Sequence, residues 1–161
     1  MAIQSGEQID RDLMERLGRI VIRWAIVEEL CVAFLAFAVS ADRAFMRVIT
    51  QSISNSSVVD WLRVLSEERF ADERSRKDLA KLFKIIDEVR SDRNELVHGI
   101  WHGGPETHTV LVHTLRMDRA QLVQDKLVTI ADLDDLLDHI ETLISQLIHL
   151  GKHLGFAGER T

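Results

Sequence analysis

The chain has 161 residues, of which 46% are apolar and 29% charged, and this is the mixture of a globular protein with one sizeable core. Its formal charge of −6 excludes a surface that attracts nucleic acid as a whole, so any contact with RNA requires a local basic patch. The only cysteine, Cys31, excludes an intrachain disulfide and a cysteine-based zinc site, and the most apolar run, Leu30 to Val39, is too short to span a membrane.

The N-terminal residues Met1 to Asp10 are polar and show no signal-peptide pattern. With one proline and eight glycines, the chain also contains few residues that break helices. We therefore expect a cytoplasmic, mainly helical protein that forms a single domain over residues 1–161 and has no membrane partner.

The first long helix is predicted from about Ile9 to Val39, because apolar residues recur along it at steps of three and four. One apolar line runs from Leu13 to Ala38. A second line covers the opposite side of the later half and contains Ile22, Ile26, Leu30, Ala33 and Phe37. A helix that is apolar on two sides is buried on more than one side, so we expect a homodimer in which a second subunit covers the extra face.

Glu28 is the polar exception on this helix, because apolar residues surround it on the helix surface, among them Trp24 and Cys31. A buried carboxylate requires a cation or hydrogen-bond donors. Two interpretations are open: Glu28 is an interface residue that reaches solvent, or it neutralises the guanidinium of Arg93. Of the two, we favour the ion pair with Arg93.

A short helix is predicted after the first one, capped by Ser40 or Asp42 and ending at about Ile53. A loop follows, and Ser57 with Asp60 forms a capping-box pattern that opens the third helix. Each of these capping positions offers a hydroxyl or carboxylate oxygen that can accept an unpaired backbone N–H group of the first helical turn.

The fourth predicted helix follows the highly charged stretch from Glu67 to Arg76, which is predicted to be a solvated turn. Ser75 with Asp78 forms the capping-box pattern that opens this helix. The apolar periodicity then continues to His98, and Gly99 is the expected helix terminator.

After Gly99 the apolar pattern changes from helical spacing to alternation. Thr107 to Met117 is predicted to be a strand, with which Ile100 to His102 pairs as a short antiparallel hairpin. Leu127 to Ile130 is a candidate third strand, and the last helix is predicted from about Ala131 to Leu154. The expected fold class is therefore mainly α, a bundle of four to five helices with a small antiparallel β-hairpin inserted before the last helix.

Three polar side chains, Arg93, Asn94 and His98, lie close together in sequence at the end of the fourth helix. Arg93 occupies an apolar stripe, where its five N–H donors require a partner, while Asn94 and His98 are four residues apart and share another line of the helix. A guanidinium can hold a phosphate, and an imidazole can act as base or acid at neutral pH. Such a set can cleave RNA through the RNA's own 2′-hydroxyl without a metal.

The order Arg93-Asn94, three further residues and His98 resembles the Arg-polar-x-x-x-His signature of HEPN domains. The continuation to Trp101 also resembles a branch of small bacterial helical proteins. This resemblance implies a helical bundle with metal-independent endoribonuclease activity, which in HEPN ribonucleases is carried by dimers with paired motifs. We take Arg93, Asn94 and His98 as the catalytic residues, with Glu28 and Trp101 in support.

The first hypothesis is therefore a HEPN-like endoribonuclease that binds RNA at a local site. Such a ribonuclease could serve as the toxin of a toxin–antitoxin pair, with an antitoxin as its partner. It could also be a component of phage defence. The rival hypothesis is a non-catalytic dimeric helical interaction module, in which Arg93, Glu28 and His98 form a structural polar network. The acidic charge balance favours the rival, and the fit of the motif favours the ribonuclease.

One geometric difficulty concerns Arg93 and His98, because residues five apart on an ideal helix point in directions about 140° apart. The site requires that the helix end near His98 or that a second subunit complete it. Metal chemistry is a further alternative, since four histidines cluster in sequence: His98, His102, His108 and His113. No pair of them lies together on one helix as in zinc enzymes, because the predicted helix ends between His98 and His102, and a hairpin would point them in several directions. We therefore expect no metal and no other cofactor.

Overall fold

A computed structural model describes residues 10–69, 72–114 and 124–155 of the chain. The described residues form five helices and a three-stranded antiparallel sheet that precedes the last helix, which confirms the predicted mainly α class. In chain order the elements are α1 (Arg11–Ala38), α2 (Arg43–Thr50), α3 (Asn55–Arg69), α4 (Glu73–His98), β1 (Ile100–Gly103), β2 (Thr109–Thr114), β3 (Gln124–Thr129) and α5 (Ile130–His153). None of the helices in the described part of the chain is long and apolar enough to cross a membrane.

Side-chain caps set where the helices begin. Asp42 caps α2 by accepting a hydrogen bond from the backbone N–H of Phe45 at 3.0 Å. Asp42 is one of the two capping residues predicted for this helix. The capping box predicted at Ser57 lies one turn after the real start of α3, which begins at Asn55. Ser54 is the residue that caps this helix, since its Oγ accepts a hydrogen bond from the Ser57 N–H.

The charged stretch from Glu67 to Arg76 is not the predicted solvated turn. Residues 67–69 belong to α3, and α4 already begins at Glu73. Asp72 is the residue that caps α4, since its carboxylate accepts from both the backbone N–H and the hydroxyl of Ser75. These hydrogen bonds lower the pKa of Asp72, because they favour its charged form.

The sheet has the strand order β1-β2-β3, and both neighbouring pairs are antiparallel. The predicted hairpin is thus extended by the candidate third strand, which runs over Gln124–Thr129 rather than from Leu127 to Ile130. Residues 115–117 of the predicted second strand lie outside the described residues. One face of the sheet contributes buried side chains to the core: Val110, Val112 and Val128.

The chain divides into two compact units that share its long helices. The first comprises Met1–Arg23 and Val89–His139, and its described core includes Leu13, Ile20, Val89, Leu96, Val110, Val112, Val128, Leu133 and Leu137. The second comprises Trp24–Glu88 and Ile140–Thr161, and its described core includes Trp24, Val27, Phe34, Leu35, Val59, Leu79, Ile86, Ile140, Leu143 and Leu147. The single domain over residues 1–161 stays a prediction.

The two apolar lines predicted on α1 differ in burial. The first line is buried from Leu13 to Ala38, apart from the half-buried Leu17. On the second line, Ile22 is 67% exposed and Phe37 is 39% exposed, whereas Ala33 is buried. A single chain therefore leaves part of the second line uncovered.

Candidate functional site

Arg93 and Asn94 form a half-buried pair near the end of α4. Arg93 Nη1 donates to Asn94 Oδ1 at 2.8 Å, so the amide side chain orients the guanidinium. Arg93 Nε is buried without a hydrogen-bond partner among the described residues. An unsatisfied buried donor costs about 1–3 kcal/mol, so this position of the guanidinium is held at some cost to stability.

His98 is the last residue of α4, and its side chain is exposed. Gly99 then lets the chain turn directly into β1. A Cβ at Gly99 would overlap Val112 Cγ1 and would lie only 2.7 Å from the carbonyl oxygen of Glu95. The backbone of Gly99 does not have a positive φ, so this position requires glycine for close approach rather than for a left-handed conformation.

Trp101 supports the end of the same helix from β1. Its Nε1 donates to the carbonyl oxygen of Leu96 at 2.7 Å. The last carbonyls of a helix have no partner within the helix, so this hydrogen bond satisfies one of them. The half-buried indole thereby links β1 to the turn of α4 that carries Arg93, Asn94 and His98.

Glu28 lies in the second unit, where it accepts a hydrogen bond from Trp24 Nε1 at 2.8 Å. With Glu29, Asn55 and other residues it lines an open cavity of about 320 Å³. Because Arg93 belongs to the first unit, the ion pair of Glu28 with Arg93 stays a prediction.

Cys31 lies one helical turn from Glu28 and is buried. Burial and, to a lesser degree, the charge of Glu28 raise the pKa of its thiol to about 12. A thiol with so high a pKa is a poor nucleophile at neutral pH.

Two of the four clustered histidines meet on the sheet, contrary to the expectation that the hairpin would separate them. The rings of His102 and His113 are edge to face, with centroids 4.6 Å apart and an interplanar angle of 75°. His113 Nδ1 is also hydrogen-bonded to Asp125 Oδ1 on β3. The sequence pointed to neither contact, because the strand register was unknown and Asp125 lies in a stretch with no clear pattern.

His108 lies on the loop between β1 and β2 with a positive φ of 62°, and its Nδ1 contacts a carboxylate oxygen of Asp10. Asp10, Asp12 and His108 bring potential metal-ligating atoms within 4.8 Å of one another. It is the one such group of three or more among the described residues. All three side chains are half-buried or exposed, as acidic surface groups without a metal commonly are.

Comparisons with protein-family models, with curated proteins and with solved structures found no match for this chain. The residues around the end of α4 are therefore the basis for assigning a function to this chain. There, Arg93 and Asn94 are hydrogen-bonded to each other, His98 is exposed, and Trp101 holds the helix end.

Proposed function

We propose that the chain is a metal-independent endoribonuclease of HEPN type. The observation that carries the proposal is the end of α4, where a half-buried guanidinium oriented by Asn94 lies five residues before an exposed imidazole. The helix ends at the imidazole itself, so His98 is accessible to a large substrate. An RNA substrate also agrees with the predicted cytoplasmic location, which stays a prediction.

In the proposed reaction, Arg93 binds the scissile phosphate and stabilises the negative charge that develops at phosphorus. His98 accepts the proton of the 2′-hydroxyl, whose oxygen then attacks the phosphorus. Asn94 positions the guanidinium through its hydrogen bond. The products are a 2′,3′-cyclic phosphate and a 5′-hydroxyl end, because the nucleophile belongs to the RNA.

The proposal is tested by RNA cleavage with the purified wild type and with His98→Ala. General acid–base catalysis accelerates a reaction by about a hundred- to ten-thousand-fold. His98→Ala should therefore lower the rate of RNA cleavage by at least a factor in that range and leave the circular dichroism spectrum unchanged. His139→Ala is the matched control, since His139 is an exposed histidine on α5 in the same unit and should leave cleavage intact. Cleavage should survive chelators.

If wild type and His98→Ala, purified identically, cleave RNA equally, a contaminating nuclease is responsible and the proposal fails. A role as the toxic half of a toxin–antitoxin or phage-defence system is part of the proposal. Expression of the wild type should then arrest growth, expression of His98→Ala should not, and an antitoxin encoded with the toxin should relieve the arrest.

A second candidate function is a dimeric helical interaction module without catalysis. Large apolar side chains on the surface of the second unit favour it, above all Phe45, Val48 and Ile49 on α2 and Trp61 and Val64 on α3. Exposed apolar patches on a monomer often mark a surface for a partner. Wild type that cleaves no RNA but forms a dimer or a stable heteromeric complex would favour this function.

A further inference from the structure

The sheet carries a second imidazole group near His98 that the proposed reaction has not used. We call His102, His113 and Asp125 the sheet-face triad, because alternation along the strands puts all three on the face opposite the buried valines. His113 is directly across from Asp125 in the register of β2 and β3, and its Nδ1 is hydrogen-bonded to the Asp125 carboxylate. The His102 ring packs edge to face against His113.

The contact with Asp125 fixes how His113 can transfer a proton. A carboxylate at Nδ1 keeps a proton on that nitrogen, so any further proton that the ring carries lies on Nε2. Nε2 is then the nitrogen from which a proton can pass to a substrate. The His113 side chain is 25% exposed, so the group is held in place and still reaches the surface.

The triad lies close to the end of α4. Ile100 is the direct register partner of His113, and it follows His98 by two residues. Two residues of chain span at most about 7 Å, and paired Cα atoms of antiparallel strands are about 5 Å apart. The Cα atoms of His98 and His113 are therefore within about 12 Å of each other, a separation that two imidazoles can bridge from opposite sides of one phosphate.

We propose that His113 is the general acid of the cleavage reaction, positioned by Asp125, with His98 as the base. This inference rests on the proposed function. His98 takes the proton of the 2′-hydroxyl as the O2′–P bond forms. The P–O5′ bond breaks with its electron pair on O5′, and that oxygen takes the proton from His113 Nε2. His98 ends protonated and His113 neutral, so atoms and charge balance.

The test compares two substrates that differ only in the leaving group. A diribonucleotide expels a 5′-alkoxide, which needs a proton, whereas a nucleoside 3′-(4-nitrophenyl) phosphate expels 4-nitrophenolate, which does not. His113→Ala should slow cleavage of the diribonucleotide by about a hundred- to ten-thousand-fold and leave the nitrophenyl ester nearly unaffected. His98→Ala should slow both, and Asp125→Asn should repeat the His113→Ala pattern more weakly. His139→Ala should change neither.

Three other results would contradict the assignment of His113 as the general acid, and each has its own meaning. If His113→Ala still cleaves the diribonucleotide while His98→Ala does not, His113 is not the acid, although the proposed function stands. If His113→Ala slows both substrates equally, the residue binds substrate or maintains the fold instead. If the wild type cleaves neither substrate, the proposed function fails and the role of His113 fails with it.

Discussion

Gly99→Ala is predicted to destabilise the protein because the turn from α4 into β1 has no room for a methyl group. The new Cβ would overlap Val112 Cγ1 and lie 2.7 Å from the Glu95 carbonyl oxygen, whereas real Cβ atoms almost never approach another atom within 3.0 Å. Val112 is fully buried and Glu95 contributes backbone, so neither can move freely.

The expected size of the effect follows from two opposing contributions. Overpacking of a well-packed site typically costs about 1–3 kcal/mol, while replacing glycine by alanine at a negative φ gains about 0.4–1 kcal/mol from the unfolded state. We therefore expect Gly99→Ala to lower the free energy of unfolding by about 1–2 kcal/mol. For a protein of this size, that loss corresponds to about 2–8 °C in Tm.

Urea unfolding followed by circular dichroism measures this difference, and Gly18→Ala is the matched control. Gly18 lies within α1, where a Cβ would meet nothing within 4 Å, so alanine should stabilise the protein by about 0.5–1 kcal/mol. In a double-mutant cycle, Gly99→Ala should cost less stability in a Val112→Ala background than in the wild type, because the overlapping methyl group is then absent. A Gly99→Ala protein as stable as Gly18→Ala would refute the close approach.

Two further predictions concern assembly and acid stability. The exposed second line of α1 predicts a homodimer, so the wild type should sediment at micromolar concentration with twice the chain mass. Ile22→Lys should sediment as a monomer, and the control Ile148→Lys on α5, which lies outside that line, should remain a dimer; a monomeric wild type contradicts the prediction. Hydrogen bonds from the backbone and hydroxyl of Thr129 lower the pKa of Asp132 in the folded state, so their stabilisation is present at neutral pH and is lost as pH falls through that pKa. The urea midpoint of the wild type should therefore fall more in acid than that of Asp132→Asn, and parallel curves would show that the cap does not titrate.

The end of α4 was predictable because local signals agree there. Apolar residues at helical spacing continue to Val97, and the glycine that follows His98 permits the turn into β1. The structure adds a physical reason that sequence alone could not supply. Gly99 is required by the approach of Val112, a residue whose position depends on the register between β1 and β2.

The start of α4 shows why the charged stretch was misread. Its acidic and basic residues predicted a solvated turn, but charged side chains are equally compatible with the exposed faces of helices. Asp72 caps the start of α4 by accepting two hydrogen bonds from Ser75. The capping pattern at Ser75 was correctly located to within one turn, and the residue that performs the capping precedes it.

The sheet-face triad could not be derived from the sequence. His102 and His113 are eleven residues apart, and their contact depends on the pairing of Ile100 with His113. Asp125 is brought next to His113 by the pairing of β2 with β3. No local sequence signal determines the register of that pairing. Helical sites repeat at fixed spacings along the chain, whereas sites on a sheet depend on long-range pairing.

The angular relation of Arg93 and His98 leads to a last prediction about how the proposed site is assembled. α4 ends at His98 itself, so the helix directs the two side chains about 140° apart around its axis. One phosphate is contacted by both side chains more easily if Arg93 comes from one subunit and His98 from its partner. The predicted homodimer would then contain two such composite sites.

Mixing two inactive variants distinguishes composite sites from sites within one chain. If Arg93→Ala and His98→Ala subunits are unfolded together and refolded at equal concentration, about half of the dimers are mixed. In a mixed dimer with composite sites, one site is intact and the other lacks both residues, so cleavage should return to about a quarter of the wild-type rate. Sites contained within one chain would regain no activity, because every site would still lack either Arg93 or His98. Restoration near a quarter therefore supports the composite arrangement, and its absence after verified subunit exchange refutes it.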